Sequence, residues 1–281
     1  MDLVGQIKQL ADKCFAALKG DAAAAMTPAE RALRAAATEA EQAHGPEHPD
    51  TLARLNELAV HLRQTGSLAE AADLFNRVLE TRERTLPPDH PDIFTSQHEL
   101  GSLLADQGYV DDADALLRRA AEGRERTLGL NNADTLTTLS RLVTVLQGRI
   151  DSNAVLALCK RVVEARQRVL EPNDPDTLTS FDQLASLLYD RGEYAAAEPH
   201  CRRTLSLRDR ILGPEHPDTG LAAHRLALVL HATGRGSPAL PFAMRADRVL
   251  RAALGDEHPW TQAAAAHLAE LREKFGIKLE Q

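Results

Sequence analysis

The tetrapeptide His48-Pro49-Asp50-Thr51 sets a clock for this chain. It returns as His90-Pro91-Asp92-Ile93, Asn132-Ala133-Asp134-Thr135, Asp174-Pro175-Asp176-Thr177, His216-Pro217-Asp218-Thr219 and His258-Pro259-Trp260-Thr261, always 42 residues on. Leu58, Leu100, Leu142, Leu184, Leu226 and Leu268 keep the same count, as do Ala71, Ala113, Val155, Ala197 and Ala239. A unit this short cannot bury its own apolar face, so it must stack on copies of itself. The period therefore excludes one conventional core and demands an array.

Each unit reads as two helices. Leu52, Leu55, Ala59 and Leu62 recur at helical spacing up to Gly66, and Ala71, Leu74, Val78 and Leu79 continue beyond it. Proline at the first helical position lacks only an N–H that has no partner there, and the following Asp suits the positive end of the helix dipole. No strand-like alternation occurs, so the expected class is all-α. Before the first full unit, Thr27-Pro28-Ala29-Glu30 reads as a capping box, preceded by a stripe at Leu3, Ile7, Leu10, Cys14 and Leu18. Residues 1–47 are thus expected as a divergent first repeat, 48–257 as five 42-residue repeats, and 258–281 as a capping helix and tail. That makes about six helix-turn-helix repeats plus a C-terminal cap, in one domain over 1–281. Repeat three is irregular: Gly148 comes early and the linker reads Asn131-Asn132-Ala133. A shortened first helix and a longer polar turn over Asp151-Ser152-Asn153 are expected there.

Composition narrows the partners. Lys and Arg total 33 against 41 Asp and Glu, a net charge of −8, which argues against nucleic-acid and anionic-membrane binding. The start of the chain lacks the pattern of a signal peptide, and three cysteines without metal spacing argue against a disulfide framework. A cytoplasmic location is expected.

With its Gly192-Glu-Tyr194 turn and its linker Leu212-Gly-Pro-Glu-His-Pro-Asp-Thr219, the chain resembles the 42-residue tetratricopeptide repeats of kinesin light chains over residues 3 to 275. The resemblance implies a right-handed superhelical solenoid whose concave groove is lined from the first helices. The implied peptide-binding residues are Asn56, His98, Ser140, Asp182 and His224 in one column, Ser102, Thr144 and Ser186 in a second, and Tyr189 in a third. Small hydroxyls there suit the backbone of an extended peptide, and Asp182 adds a preference for a basic residue. The paired asparagines with which kinesin light chains contact cargo are reduced to Asn56 beside Glu57, so that cargo specificity does not carry over. The carboxylate clamp of chaperone-tail adaptors is matched only by Arg141.

No catalytic residue, cofactor motif or metal-ligand set is found. A column holding His48, His90, Asn132, Asp174, His216 and His258 behaves as a helix N-cap, since His, Asn and Asp interchange in it. Cys159 and Cys201 share one core slot on successive second helices. Arg77, Arg119, Arg161, Arg203 and Arg245 form a ladder, with Arg84, Arg126, Arg168 and Arg210 seven residues on. Glu80, Glu122 and Glu164 lie at ion-pair spacing between them and are expected to neutralise the first three steps. Beyond them, Arg203, Arg210, Arg245 and Arg248 form an excess that is either a docking patch or a solvated surface. The function expected is a non-enzymatic interaction module holding a protein or peptide partner. The rival reading is a regulatory sensor whose superhelix changes pitch on binding a small peptide or metabolite.

Overall fold

The computed structural model describes residues 26–147, 152–171 and 174–275. Among these residues there are twelve helices and no strand. They are α1 (Pro28–His44), α2 (Pro49–Gln64), α3 (Leu68–Thr85), α4 (Pro91–Asp106), α5 (Val110–Leu128) and α6 (Ala133–Leu146). The series continues with α7 (Ser152–Val169), α8 (Pro175–Asp190), α9 (Tyr194–Ile211), α10 (Pro217–Ala232), α11 (Gly236–Leu254) and α12 (Pro259–Phe275). The expected helix over residues 3–18 and the turn glycine Gly148 lie outside the described residues.

The helix starts follow from their caps. The Nδ1 atoms of His48, His90 and His216 each accept from the backbone N–H two residues on, at 3.2 Å. Asn132 and Asp174 do the same through a side-chain oxygen at 2.8 Å. Thr27 caps α1 by accepting from Glu30 N at 3.1 Å. Each such bond satisfies one of the free N–H groups of a first turn. Between the two helices of a repeat the chain turns through a left-handed residue, Gly66 at φ 88° and Gly192 at φ 75°, where a Cβ would strain the backbone.

Repeat three departs from expectation in an instructive way. Its first helix, α6, has 14 residues where α2, α4, α8 and α10 have 16, as expected. The interval to the next helix is longer, 147–151 against three residues in the other repeats, but it does not extend over Ser152 and Asn153, which already belong to α7. The second helices begin at 68, 110, 152, 194 and 236, on the 42-residue count. The core slots of the second helix thus keep their register, and the irregularity is absorbed before residue 152.

The chain forms two compact units, residues 1–146 and 147–281. In each, the leucine column and its small neighbours make the seam. Leu58, Leu100 and Leu142 in the first unit are at most 4% exposed, as are Leu184, Leu226 and Leu268 in the second. Small residues let helices approach: a Cβ on Gly101 would stand 3.0 Å from Leu117 Cγ. At Gly123 the same atom would fall 2.2 Å from the Phe94 ring, so this glycine makes room for the one aromatic in its column. Cys159 and Cys201 are buried free thiols whose pKa values burial pushes up to about 12, consistent with packing slots.

A second, polar seam accompanies the apolar one. Arg82, Arg124, Arg166 and Arg208 recur at 42 residues near the ends of second helices, and the first three are nearly buried. Arg82 donates to Ser96 Oγ at 2.8 Å and Asp92 O at 3.2 Å, and Arg124 to Thr138 Oγ1 at 2.6 Å and Asp134 O at 3.0 Å. Arg166 repeats this with Ser180 Oγ at 2.6 Å and Asp176 O at 2.7 Å. Each guanidinium therefore fastens a second helix to the first turns of the next first helix. Burial pulls these three arginines' pKa values down, and Asp92, Asp134 and Asp176 oppose the shift. Among the described residues, no helix is long and apolar enough to cross a membrane.

Candidate functional site

The row expected to line the groove is more closed than its composition suggests. In the first unit, Ser102 and Ser140 are 5% and 7% exposed, and Asn56 Oδ1 and His98 Nδ1 are buried without a hydrogen-bond partner. His98 faces three guanidinium groups. Burial first, then Arg124, Arg63 and Arg141, push its pKa down to about 3, so the ring is neutral. Glu99 answers Arg63 at 2.9 Å, while Arg141 donates to Ser102 O at 2.9 Å and pairs with Asp106. Thr144 is the row's exposed member, with its hydroxyl donating to Ser140 O at 3.2 Å.

The second unit holds Asp182, Ser186, Tyr189 and His224. Asp182 is not available to a ligand. Its carboxylate accepts from Arg208 at 2.5 Å and Arg225 at 3.2 Å and is largely buried between them. The expected preference for a basic ligand residue is therefore corrected: two arginines already supply that charge. Ser186 accepts from Gln147 Nε2 at 3.1 Å, and the same amide reaches Asp190. Tyr189 is half-buried with its ring 5.1 Å from that of Tyr194, and burial raises its pKa.

His224 is buried as well, its pKa lowered to about 4 by burial, His267 and Arg225. It meets the edge of His267 at 5.5 Å, and His267 stacks on His231 with a ring-nitrogen contact of 3.1 Å. Lys274 Nζ closes the group at 3.3 Å from His231 Nε2. Among the described residues no three His, Cys, Asp or Glu side chains are arranged to hold a metal ion. Sequence reading missed His267, Arg225 and Arg208 as members of this row. His267 lies 36 residues from His231, and Arg225 and Arg208 lie 43 and 26 residues from Asp182, so none of them falls on the 42-residue count that the columns follow.

The first steps of the outer ladder are neutralised, but not by the glutamates expected. Arg77 pairs with Glu41 at 2.5 Å and Arg119 with Glu83 at 3.2 Å, each 36 residues back, and Arg84 with Glu47 at 2.6 Å. Arg126 pairs with Asp89 in the same manner. Of the intrahelical pairs expected, that of Glu164 with Arg168 is formed among the described residues, at 3.9 Å. At Arg77 and Arg119 the guanidinium crosses to the neighbouring helix instead of folding back along its own. In the expected basic patch, Arg245 is paired with Asp209, and Arg248 with Glu215 at 2.5 Å. Arg203 instead lies over the Phe181 ring at 4.6 Å. A cleft of about 390 Å³ in the first unit, beside Phe94 and Gly123, is lined by Glu122 and by the paired Arg119, Glu83, Arg126 and Asp89.

This arrangement can present shape, polar edges and a few exposed side chains. The tetratricopeptide repeat model matches five consecutive segments, 51–92, 94–134, 135–176, 177–218 and 219–259. The chain belongs to the tetratricopeptide repeat family. These repeats are similar to those of a solved kinesin light chain-type protein of nearly identical TPR-like repeats from Podosopora anserina, at 25% identity and a TM-score of 0.64. That match covers 74% of this chain and 98% of the other. BtubC (BKLC) from P. vanneervenii shares the fold at 18% identity and a TM-score of 0.70, over 84% of this chain and 94% of its own. MamA from AMB-1 does so at 19% and 0.51, over 71% and 99%. No curated protein matches the sequence. Tetratricopeptide repeats generally serve as protein–protein interaction scaffolds, and this chain carries five of them in succession.

Proposed function

We propose that the protein is a non-enzymatic interaction module that holds a protein or peptide segment along the inner faces of its first helices. One observation supports this most: the family's repeats fill residues 51–259, while the inner row keeps Thr144 exposed on one unit and Tyr189 half-exposed on the other. The buried members of the row, Ser102, Ser140 and His224, act by setting the floor on which a ligand rests. Asn56, His98 and Ser186 supply the partly open polar edges between them. Asp182 holds Arg208 and Arg225 in place, and Arg225 is the cation a ligand would meet there. An interface of this kind has few strong anchors, so affinity is moderate and spread over several repeats.

The experiment is affinity capture followed by mass spectrometry, run in parallel with the native chain and a Thr144→Arg/Tyr189→Ala variant. Both positions reach solvent, so the helical circular dichroism should be unchanged. Proteins enriched by the native chain and lost by the variant are the expected result. An identical set from both would refute the inner row as the binding surface.

A further inference from the structure

The outer ladder has one step where its acids are missing. The residue 36 before Arg203 is Gln167, where Arg77, Arg119 and Arg245 find Glu41, Glu83 and Asp209. In the sequence the residue 37 before Arg210 is Asn173, which lies outside the described residues and carries no acid; at that count Arg84 and Arg126 have Glu47 and Asp89. Ser206 stands between the two arginines in the column that carries Glu80, Glu122 and Glu164 elsewhere. As a result neither Arg203 nor Arg210 has a carboxylate partner among the described residues, and both are exposed on α9.

The surroundings reinforce the charge. Arg203 lies over Phe181, its guanidinium carbon 4.6 Å from the ring centre, and the His200 ring stands 5.8 Å from the same ring. Lys160 of α7 faces the same ring: after burial, Arg203 and Lys160 are the causes that lower the His200 pKa. The nearby Glu164 is taken by Arg168, and Asp209 by Arg245. A protein of net charge −8 thus keeps a local cationic step.

We propose that Arg203 and Arg210 form a docking surface for an acidic protein segment, whose carboxylates take the places left empty in the inter-repeat ladder. The spacing states what fits. Seven residues of helix place the two arginines about 10 Å apart. Two carboxylates on the same face of an extended segment, two or four positions apart, span about 7 or 13 Å, a range that the long arginine side chains can meet. The stack of Arg203 on Phe181 fixes one of the two charges in advance, which lowers the ordering cost of binding. This surface lies on second helices and does not depend on the inner row.

The test uses fluorescence anisotropy of the whole protein with a fluorescein-labelled twelve-residue peptide. The peptide carries Glu-Glu-Gly-Glu-Glu in a Gly/Ser background, and its comparator carries the four glutamates divided between its ends. Saturable binding of the first peptide is expected, weakened by salt as a surface charge contact must be. Arg203→Glu/Arg210→Glu should weaken it at least tenfold. Gln167→Glu, which restores the missing acid, should weaken it about threefold or more, and Tyr189→Ala should leave it unchanged. The proposal is overturned by no binding, by equal binding of the comparator, or by full binding to the charge-reversed variant. Tighter binding of a phosphopeptide or of anionic vesicles than of the acidic peptide would overturn it too.

Discussion

At the scale of single residues, the two classes of arginine differ in what they contribute. Arg124 is nearly buried and donates to three oxygens, Thr138 Oγ1, Asp134 O and, at 3.0 Å, Thr95 Oγ1. Arg124→Ala leaves buried acceptors without a donor, so urea unfolding should show a loss of about 2–3 kcal/mol. Arg84 and Glu47 are both more than half exposed, and breaking that pair should change stability by no more than about 0.5 kcal/mol. Equal losses would show that the buried column is not the polar seam described. His98 gives a pH signature with a definite sign. Its folded pKa is about 3, below its ordinary 6.5, so the unfolded chain binds the proton more readily. Its contribution is present above pH 6.5 and is lost as pH falls toward 3. His224, lowered to about 4, acts in the same direction. The urea midpoint should fall between pH 7 and pH 4, and His98→Leu should flatten that slope. An unchanged slope in the variant would place the titration elsewhere.

At the scale of helices, caps and close approaches decide the register. Replacing the N-cap Asp174 by Ala removes its 2.8 Å bond to Asp176 N and should cost about 1 kcal/mol in thermal or urea unfolding. Gly123 is more sensitive because its contact is a rigid ring. Gly123→Ala should destabilise the first unit by about 1–3 kcal/mol, and adding Phe94→Leu should recover most of it. Additive losses in the double variant would mean that the cost at Gly123 does not come from the Phe94 ring. Helix starts and caps were legible in the sequence because they are local: His48 or Asp174 acts on a backbone N–H two residues away. The partners of the outer arginines were not. Glu80 is close to Arg77 along the helix, yet Glu41 on the neighbouring helix is where the guanidinium goes. A periodic column says which residues occupy equivalent slots; it does not say which way a long side chain leans.

For the molecule as a whole, the fold was legible and the candidate site only in outline. The leucine column fixed the seam, since an unbroken 42-residue register leaves one face of every helix to be buried. Openness of the inner row was misjudged because small hydroxyls look solvent-facing in a sequence. Ser102 and Ser140 instead sit beneath neighbouring helices, where Arg141 crosses to the Ser102 carbonyl. Asp182 looked like a free acid because Arg208 and Arg225 lie 26 and 43 residues away in the chain. On the proposed reading, recognition falls to a sparse set of exposed groups on a polar floor. Site-specific photo-cross-linking in the native cell tests that claim most directly, with benzoylphenylalanine placed at Thr144, at Tyr189 or at the outer position Arg84. The account predicts that one protein is cross-linked from both inner positions and not from Arg84. Cross-linking from Arg84 alone would contradict it.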